Sequence, residues 1–222
     1  MDGILYICGT PIGNLEDMTL RAIRVLKEVH LIAAEDTRQT QKLLERYEIT
    51  TPMTSCHEHN IKEKTPYLLK LLEEGKSIAL VSDAGMPGIS DPGYELIQIA
   101  IEQNIKVVPI PGPTAAMTAL AISGLPTDLF VFEGFLPHNP TKRRRVLRRL
   151  VPEKRTIIIY ESPHRITKTL ADIKNIFGDR EICIARELTK KFEEILRGKV
   201  SNLILKIKQP MGEYTIVIAG ET

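Results

Sequence analysis

The stretch Val81 to Gly93, VSDAGMPGISDPG, crowds three glycines, two prolines and two aspartates into one connection that follows an apolar run. Ser77 to Ser82 predicts a buried strand, and Asp91 to Gln103 predicts a helix with Asp91 as N-cap and Pro92 in the first turn. Between them Gly85 and Gly88 let the backbone come close to a ligand, while Pro87 restricts the loop before anything binds. The Asp83 carboxylate falls at the strand's carboxyl end, where open parallel sheets place their ligands. The plain alternative is a long βα connection made of turn residues.

Strand-like and helix-like segments alternate along nearly the whole chain, which is an α/β pattern. In the first half Gly3 to Gly9, Leu31 to Glu35, Ser77 to Ser82 and Lys106 to Ile110 read as strands. Met18 to Glu28, Arg38 to Tyr47, Thr65 to Glu74 and Glu95 to Gln103 read as helices. The stiff segment PIPGP, Pro109 to Pro113, marks a boundary, giving domains of residues 1–111 and 112–222. Beyond it Thr114 to Ile122 reads as a small-residue helix, and Phe130 to Glu133, Thr156 to Tyr160, Ile182 to Arg186, Glu194 to Leu196 and Tyr214 to Ala219 read as strands. The last strands lie close together in sequence, so this second sheet is expected to be mixed.

With 222 residues and 43% hydrophobic content the chain buries a sizeable core. No apolar run approaches the roughly 20 residues that span a bilayer, and no signal-peptide pattern opens the sequence, so a cytoplasmic protein with no membrane partner is expected. Cys8, Cys56 and Cys183 are an odd number at wide spacing and read as reduced thiols. A GxGxxG after the first strand and a Walker A are both missing. The first loop is GTPIGN, Gly9 to Asn14, which suits a ligand without a polyphosphate. Small side chains in PGPTAAM, Pro111 to Met117, leave room for a flat ring or an aliphatic chain, or equally for a tight helix crossing.

GTPIGNL (Gly9 to Leu15), AAEDTR (Ala33 to Arg38), HEHN (His57 to Asn60), VSDAGMPGISDPG, PGPTA, FEGFLP (Phe132 to Pro137), ESPHR (Glu161 to Arg165) and ARELTK (Ala185 to Lys190) occur in this order. Together they resemble the ribosomal-RNA-methylating branch of the tetrapyrrole methylase superfamily. The resemblance implies two α/β domains with the cofactor cleft between them, usually in a homodimer. It further implies S-adenosylmethionine-dependent 2′-O-methylation of a cytidine ribose in the decoding region of 16S ribosomal RNA, within the small ribosomal subunit. By position it implies cofactor contacts at Pro11 and Ile12, at Asp83, Ala84, Gly85 and Met86, at Thr114 and Ala115, and near the adenine at Tyr160, Ala185 and Arg186. The chain carries Ser82, Asp83 and Ala84 where the superfamily's tetrapyrrole enzymes tend to have Gly-Asp-Pro, which argues against a corrin or porphyrin substrate. Many relatives also continue into a C-terminal segment beyond GEYTIVIAG.

Methylating a ribose hydroxyl needs orientation and a proton acceptor, and no metal. Glu35 and Asp36 are the preferred acceptors, with Arg38 placed to hold a phosphate, although Asp36 could simply cap a helix. Glu187, with Lys190, is a second catalytic candidate. Cys56, His57 and His59 lack zinc-site spacing and read as a polar strand end or an RNA entrance. In KRRRVLRR, Asn139 and Pro140 start a helix that turns Val146, Leu147, Leu150 and Val151 to one face, leaving Lys142, Arg144, Arg145, Arg148 and Arg149 largely on the other to meet RNA phosphates. Two other readings stay open: a tetrapyrrole-type methylase and a non-catalytic RNA-binding ribosome-assembly protein.

Overall fold

Strands covered on both faces carry unbroken apolar runs, and Leu31–Ala34 and Ile78–Val81 are buried at every position. The computed structural model describes residues 3–208 and 210–221, and the chain divides into two units, Met1–Thr114 and Ala115–Thr222. The division thus falls three residues beyond the expected one, at the start of a helix rather than inside PIPGP.

The first unit runs β1 (Ile4–Cys8), α1 (Leu20–Glu28), β2 (Leu31–Ala34), α2 (Thr37–Arg46), β3 (Met53–Ser55), α3 (Ile61–Glu73), β4 (Ile78–Val81), α4 (Tyr94–Glu102) and β5 (Lys106–Ile110). Its five strands are all parallel, in the order β3-β2-β4-β1-β5. One face packs Leu5, Ile7, Ala33 and Leu80 with Leu68 and Leu72 of α3 and Leu96 of α4. The other packs Cys8, Ile32, Ala79 and Val81 with Val25 and Leu26 of α1 and Leu43 and Leu44 of α2. Chain from β1 runs to β2 on one side, whereas chain from β4 runs to β5 on the other. The topological switch point therefore lies between β4 and β1, at their carboxyl ends.

Two helix starts differ from expectation. Asp91 and Pro92 do not open α4: Gly93, at φ 124°, precedes Tyr94, and the Pro92 carbonyl accepts from Gly88 N at 3.2 Å. The Asp-Pro pair thus closes the loop on itself, because the backbone at Gly93 is one only glycine adopts cheaply. Helix α3 starts at Ile61, a turn earlier than expected, and tolerates Pro66 in its second turn at the loss of one intrahelical hydrogen bond.

The second unit runs α5 (Ala115–Ile122), β6 (Phe130–Phe135), α6 (Pro140–Leu150), β7 (Thr156–Glu161), α7 (Ile166–Phe177), β8 (Glu181–Arg186), β9 (Glu194–Lys199), α8 (Val200–Ile204) and β10 (Tyr214–Ile218). The strand order is β6-β7-β10-β8-β9, with only β6 and β7 parallel, so the sheet is mixed as expected. Ile157, Ile159, Ile182, Ile184, Ile216 and Ile218 alternate onto the face covered by α6, α7 and α8. No helix among the described residues is long and apolar enough to cross a membrane.

Candidate active site

Four strand ends of the first sheet are laced together at the switch point. Thr10 and Gly85 exchange backbone hydrogen bonds, Thr10 N to Gly85 O at 2.9 Å and Gly85 N to Thr10 O at 3.1 Å, and the Thr10 hydroxyl donates to Ser82 O at 3.0 Å. Gly9 N donates to Ile110 O at 3.0 Å, tying the exit of β1 to that of β5. Here Gly9 and Gly112 touch: a Cβ added at Gly9 would stand 2.6 Å from the Gly112 Cα and 2.7 Å from the Met86 sulfur. Neither glycine has room for a side chain. Gly85 differs, since its φ of 84° demands glycine while the space around it is ordinary.

Along the same edge β2 and β4 exchange carboxylates for amides. Asp83 N donates to Glu35 Oε2 at 3.2 Å, and Asp36 N donates to Asp83 Oδ1 at 3.1 Å. Partial desolvation of Glu35, and a weaker one of the more exposed Asp83, raises both carboxyls from their ordinary values, and neighbouring Asp36 adds like charge to each. Asp36 behaves oppositely. Its Oδ1 caps α2 by accepting from Arg38 N at 2.9 Å, and the Arg38 guanidinium takes both oxygens, at 3.1 and 2.7 Å. These contacts hold Asp36 down at about 2.

The expected cofactor residues of the first unit all lie at this edge, with different exposure. Asp83 and Ala84 are exposed, whereas Pro11, Ile12 and Gly85 are buried. The Met86 side chain turns into the core against Gly9. Thr114 closes the first unit and Ala115 opens α5 of the second.

The catalytic candidates separate. Glu35 keeps one carboxylate oxygen beyond its contact with Asp83 and ionises reluctantly, which suits a proton acceptor. Asp36 is a poor base, being both a helix cap and the partner of Arg38. Arg38 pairs with Asp36 at 2.7 Å while 88% of its side chain stays exposed. Glu187 is committed. Its Oε1 accepts from Lys190 Nζ at 2.9 Å and from Glu213 N at 3.0 Å, and a Cβ at Gly212 would collide with it. Partial burial raises the Glu187 carboxyl, but the Lys190 and Glu213 contacts outweigh it and leave the group below its ordinary value. Glu187 and Lys190 form a staple between two loops.

In the second unit strand alternation sorts the residues expected near an adenine. Thr215 pairs with Tyr160 and with Ala185, so these three share a sheet face, the one on which the Tyr160 hydroxyl accepts from Ala116 N at 3.1 Å. Arg186 pairs with Tyr214, one residue along, and so belongs to the opposite face with the α6–α8 core. The side chains of Tyr160 and Ala185 thus share a face that the Arg186 side chain does not.

Helix α6 begins as expected, with the Asn139 side chain accepting from Thr141 N and Lys142 N at 2.9 and 3.1 Å and Pro140 at the first position. Arg143 turns inward, its side chain 4% exposed, and pairs with Asp172 of α7 at 2.7 Å. Lys142, Arg145 and Arg148 are exposed. Arg144 also approaches Asp172, at 3.7 Å, and Arg149 binds Glu133 at 2.6 Å, so two members of the expected phosphate-facing set are engaged within the protein.

His57 stands at a polar strand end, as the sequence reading had it, although the strand itself was not assigned. Cys56 N donates to Ala34 O at 2.7 Å, extending the β3–β2 ladder and setting His57 at the same edge as Glu35 and Asp36. The signal was the apolar-to-polar change after Cys56, but β3 is three residues long and too short to register as a strand.

Known proteins share this architecture. Residues 4–204 match the sequence profile of the Tetrapyrrole (Corrin/Porphyrin) Methylases. The chain is 53% identical, over 98% of its length and 76% of the relative's, to Ribosomal RNA small subunit methyltransferase I of Halalkalibacterium halodurans. It is 52% identical, over 99% of both chains, to the protein of the same name from Thermotoga maritima. A crystal structure of diphthine synthase superposes with a TM-score of 0.76 at 13% identity, covering 99% of this chain and 91% of that one. The profile match and the two relatives, each aligned over nearly the whole of this chain, establish that the chain belongs to the tetrapyrrole methylase family, alongside methyltransferases named for small-subunit ribosomal RNA.

Proposed function

We propose that this methyltransferase transfers the methyl group of S-adenosylmethionine to the ribose 2′-hydroxyl of a cytidine in the decoding region of 16S ribosomal RNA, acting as a homodimer on the small ribosomal subunit. The methyl donor follows from the family, and ribosomal RNA as acceptor is supported by the relatives' names. The observation that carries the reading is the carboxyl edge of the first sheet, where Asp83 N donates to Glu35, Asp36 N donates to Asp83 and Gly85 follows within two residues at φ 84°. Two reluctant carboxylates beside a glycine with φ 84° suit a ligand that brings positive charge and needs close backbone approach. The methionine end of S-adenosylmethionine, with its ammonium and sulfonium, has that chemistry. Tyr160 and Ala185 would accompany the adenosine.

When bound, S-adenosylmethionine supplies a methyl group on positively charged sulfur. The backbone of Ala84, Gly85 and Met86 holds the donor, and Asp83 offsets its charge. Glu35 takes the proton that the attacking hydroxyl loses. Its raised pKa serves this step, because a carboxylate that ionises reluctantly is the stronger base once ionised. Lys142, Arg145 and Arg148, exposed on one helix, neutralise phosphates of the acceptor RNA.

Calorimetric titration with S-adenosylmethionine tests the site. The wild-type chain binds, and Gly85→Val, which forces a branched side chain into a backbone conformation with φ 84°, loses binding while its far-UV circular dichroism stays that of the parent. Unchanged affinity in that folded variant would remove the loop from the cofactor site.

A further inference from the structure

Strand register lines up four polar side chains across the second sheet, at the edge where β7 and β8 end. Tyr214 pairs with Glu161 on one side and with Arg186 on the other, and Arg186 pairs with Glu194, so all four point to the face covered by α6, α7 and α8. Glu161 is used up within the protein. Its Oε1 accepts from Ser162 N at 2.8 Å and pairs with Arg165 at 2.7 Å, and its Oε2 accepts from the Thr169 hydroxyl at 2.6 Å. Tyr214 is 3% exposed, and its hydroxyl has no hydrogen-bond partner among the described residues. The same holds for Arg186 Nε, and Arg186 Nη1 reaches Glu194 only at 3.5 Å. Leaving two donors unpaired costs free energy, and what both can use is an acceptor.

Tyr214 and Arg186 both line a cavity of about 550 Å³ between the end of β8 and the chain that runs from α8 to β10. That volume falls within the roughly 300–1,000 Å³ of ligand pockets. The staple in which Lys190 ties Glu187 to Glu213 fixes its wall. Phe192 and Met211 stand at its rim, each 68% exposed, and exposed side chains change rotamer within nanoseconds, so the rim can admit a ligand oxygen to the two donors. Lys191 Nζ lies 5.6 Å from the Phe192 ring centroid, which leaves the other ring face for a flat partner. Lys206 and Lys208 also line the cavity, exposed and, among the described residues, in no ion pair. Glu187 is paired with Lys190 and Glu194 faces Arg186, so the charge left over is positive.

We propose that this cavity seats one nucleotide of single-stranded RNA, its base against Phe192, its phosphate at Lys206 and Lys208, and one of its oxygens taking the hydrogens of Tyr214 and Arg186. An aromatic platform, free lysines and a buried polar contact are together what recognises an unpaired nucleotide. The cavity lies on the sheet face opposite the side chains of Tyr160 and Ala185, so it is a second site beside the residues expected at the adenosine. The proposal rests on the reading of ribosomal RNA as acceptor, and it gives the second unit a nucleotide flanking the one that reacts.

The chain has no tryptophan, so Phe192→Trp places a single indole at the rim as a local reporter. The full chain carrying it is titrated with a cytidylate RNA decamer, with cytidine 5′-monophosphate and with S-adenosylmethionine. The decamer should quench the indole saturably, the mononucleotide far more weakly and S-adenosylmethionine not at all. Adding Tyr214→Phe should weaken decamer binding by about 2- to 10-fold without lowering the melting temperature, since the hydroxyl removed has no partner in the protein. Adding Lys206→Gln with Lys208→Gln should lower the log–log salt slope by about 1 to 1.5. On small ribosomal subunits Phe192→Ala should raise KM by about 5-fold or more with kcat near wild type. No quench, or a quench that Tyr214→Phe leaves unchanged, overturns the site. Quenching by S-adenosylmethionine would give the cavity to the cofactor, and equal quenching by the mononucleotide would give it to a free nucleotide; either overturns RNA as the occupant. An intact decamer response, with subunits that the wild-type chain does not methylate, would overturn ribosomal RNA as acceptor and leave the cavity an RNA site.

Discussion

Replacing Asp172 by Ala isolates one interaction whose cost the structure lets us work out. Arg143 lies on α6 with its side chain 4% exposed, and the carboxylate it meets is 13% exposed. Two hydrogen bonds join them, from Nε at 2.8 Å and Nη2 at 2.7 Å, both to Oδ2. Truncating Asp172 leaves a buried guanidinium with no counter-charge, and breaking a buried pair from one side costs about 3–5 kcal/mol. At about 2–4 °C per kcal/mol for a chain of this length, the melting temperature should fall by roughly 6–20 °C. Replacing both partners by apolar residues of similar size, Arg143→Met with Asp172→Leu, should recover most of that loss, since such swaps are often neutral. Denaturant unfolding of the wild type, the single and the double variant gives the comparison. A loss below about 1 kcal/mol in Asp172→Ala would refute the claim that this pair fixes α6 on α7, because a loss that small is typical of a solvated surface pair.

Three further outcomes follow from the same structure. Counterion release predicts that replacing Lys142, Arg145 and Arg148 with Gln lowers the log–log salt slope of RNA binding by about 2–3, at about 0.7–0.9 per lost phosphate contact. Arg149→Gln, which removes a partner of Glu133, should leave that slope nearly unchanged, and an equal effect of the two would contradict the division of the helix. Burial pushes the Cys8 thiol up to about 12 and that of Cys56 up to about 11, and raises that of Cys183, so at pH 8 the folded chain should resist alkylation while the unfolded chain reacts at all three. Gly112→Ala, which brings a methyl group to about 2.7 Å from the Gly9 Cα, should destabilise the first unit by about 1–3 kcal/mol and weaken cofactor affinity, and an unaffected melting curve would contradict the backbone contact.

Elements with strong periodicity or long apolar runs were legible in the sequence. Lys106–Ile110 was read to the residue, Thr156–Glu161 and Glu181–Arg186 to within one, and the Asn139-Pro140 start of α6 follows from capping chemistry. The short β3 was not legible, since three residues cannot display an alternation. The start of α4 was misread because Asp-Pro is an equally good loop closure once Gly93 takes φ 124°. At the site, sequence chemistry pointed to Glu35, Asp36 and Arg38 as a group, but only their partners separate them. Asp36 and Arg38 satisfy each other, whereas Glu35 is left beside Asp83. Glu187 and Arg186 have surroundings that the sequence does not display, the one in an ion pair with Lys190 and the other with its side chain across the sheet from those of Tyr160 and Ala185. Spacing in one dimension carries neither a salt bridge to residue 213 nor the face of a strand whose register is unknown.

Transfer of a methyl group to one ribose of ribosomal RNA is read out by nucleoside analysis. Small ribosomal subunits from cells lacking this methyltransferase are incubated with the full chain and S-adenosylmethionine labelled in the methyl group, and the 16S RNA is digested to nucleosides. Label should co-elute with 2′-O-methylcytidine from a decoding-region fragment, and Glu35→Gln should reduce it by about 10²- to 10⁴-fold while still binding the donor. Label on a base, on protein or on another ribose, or full incorporation by Glu35→Gln, would contradict this reading.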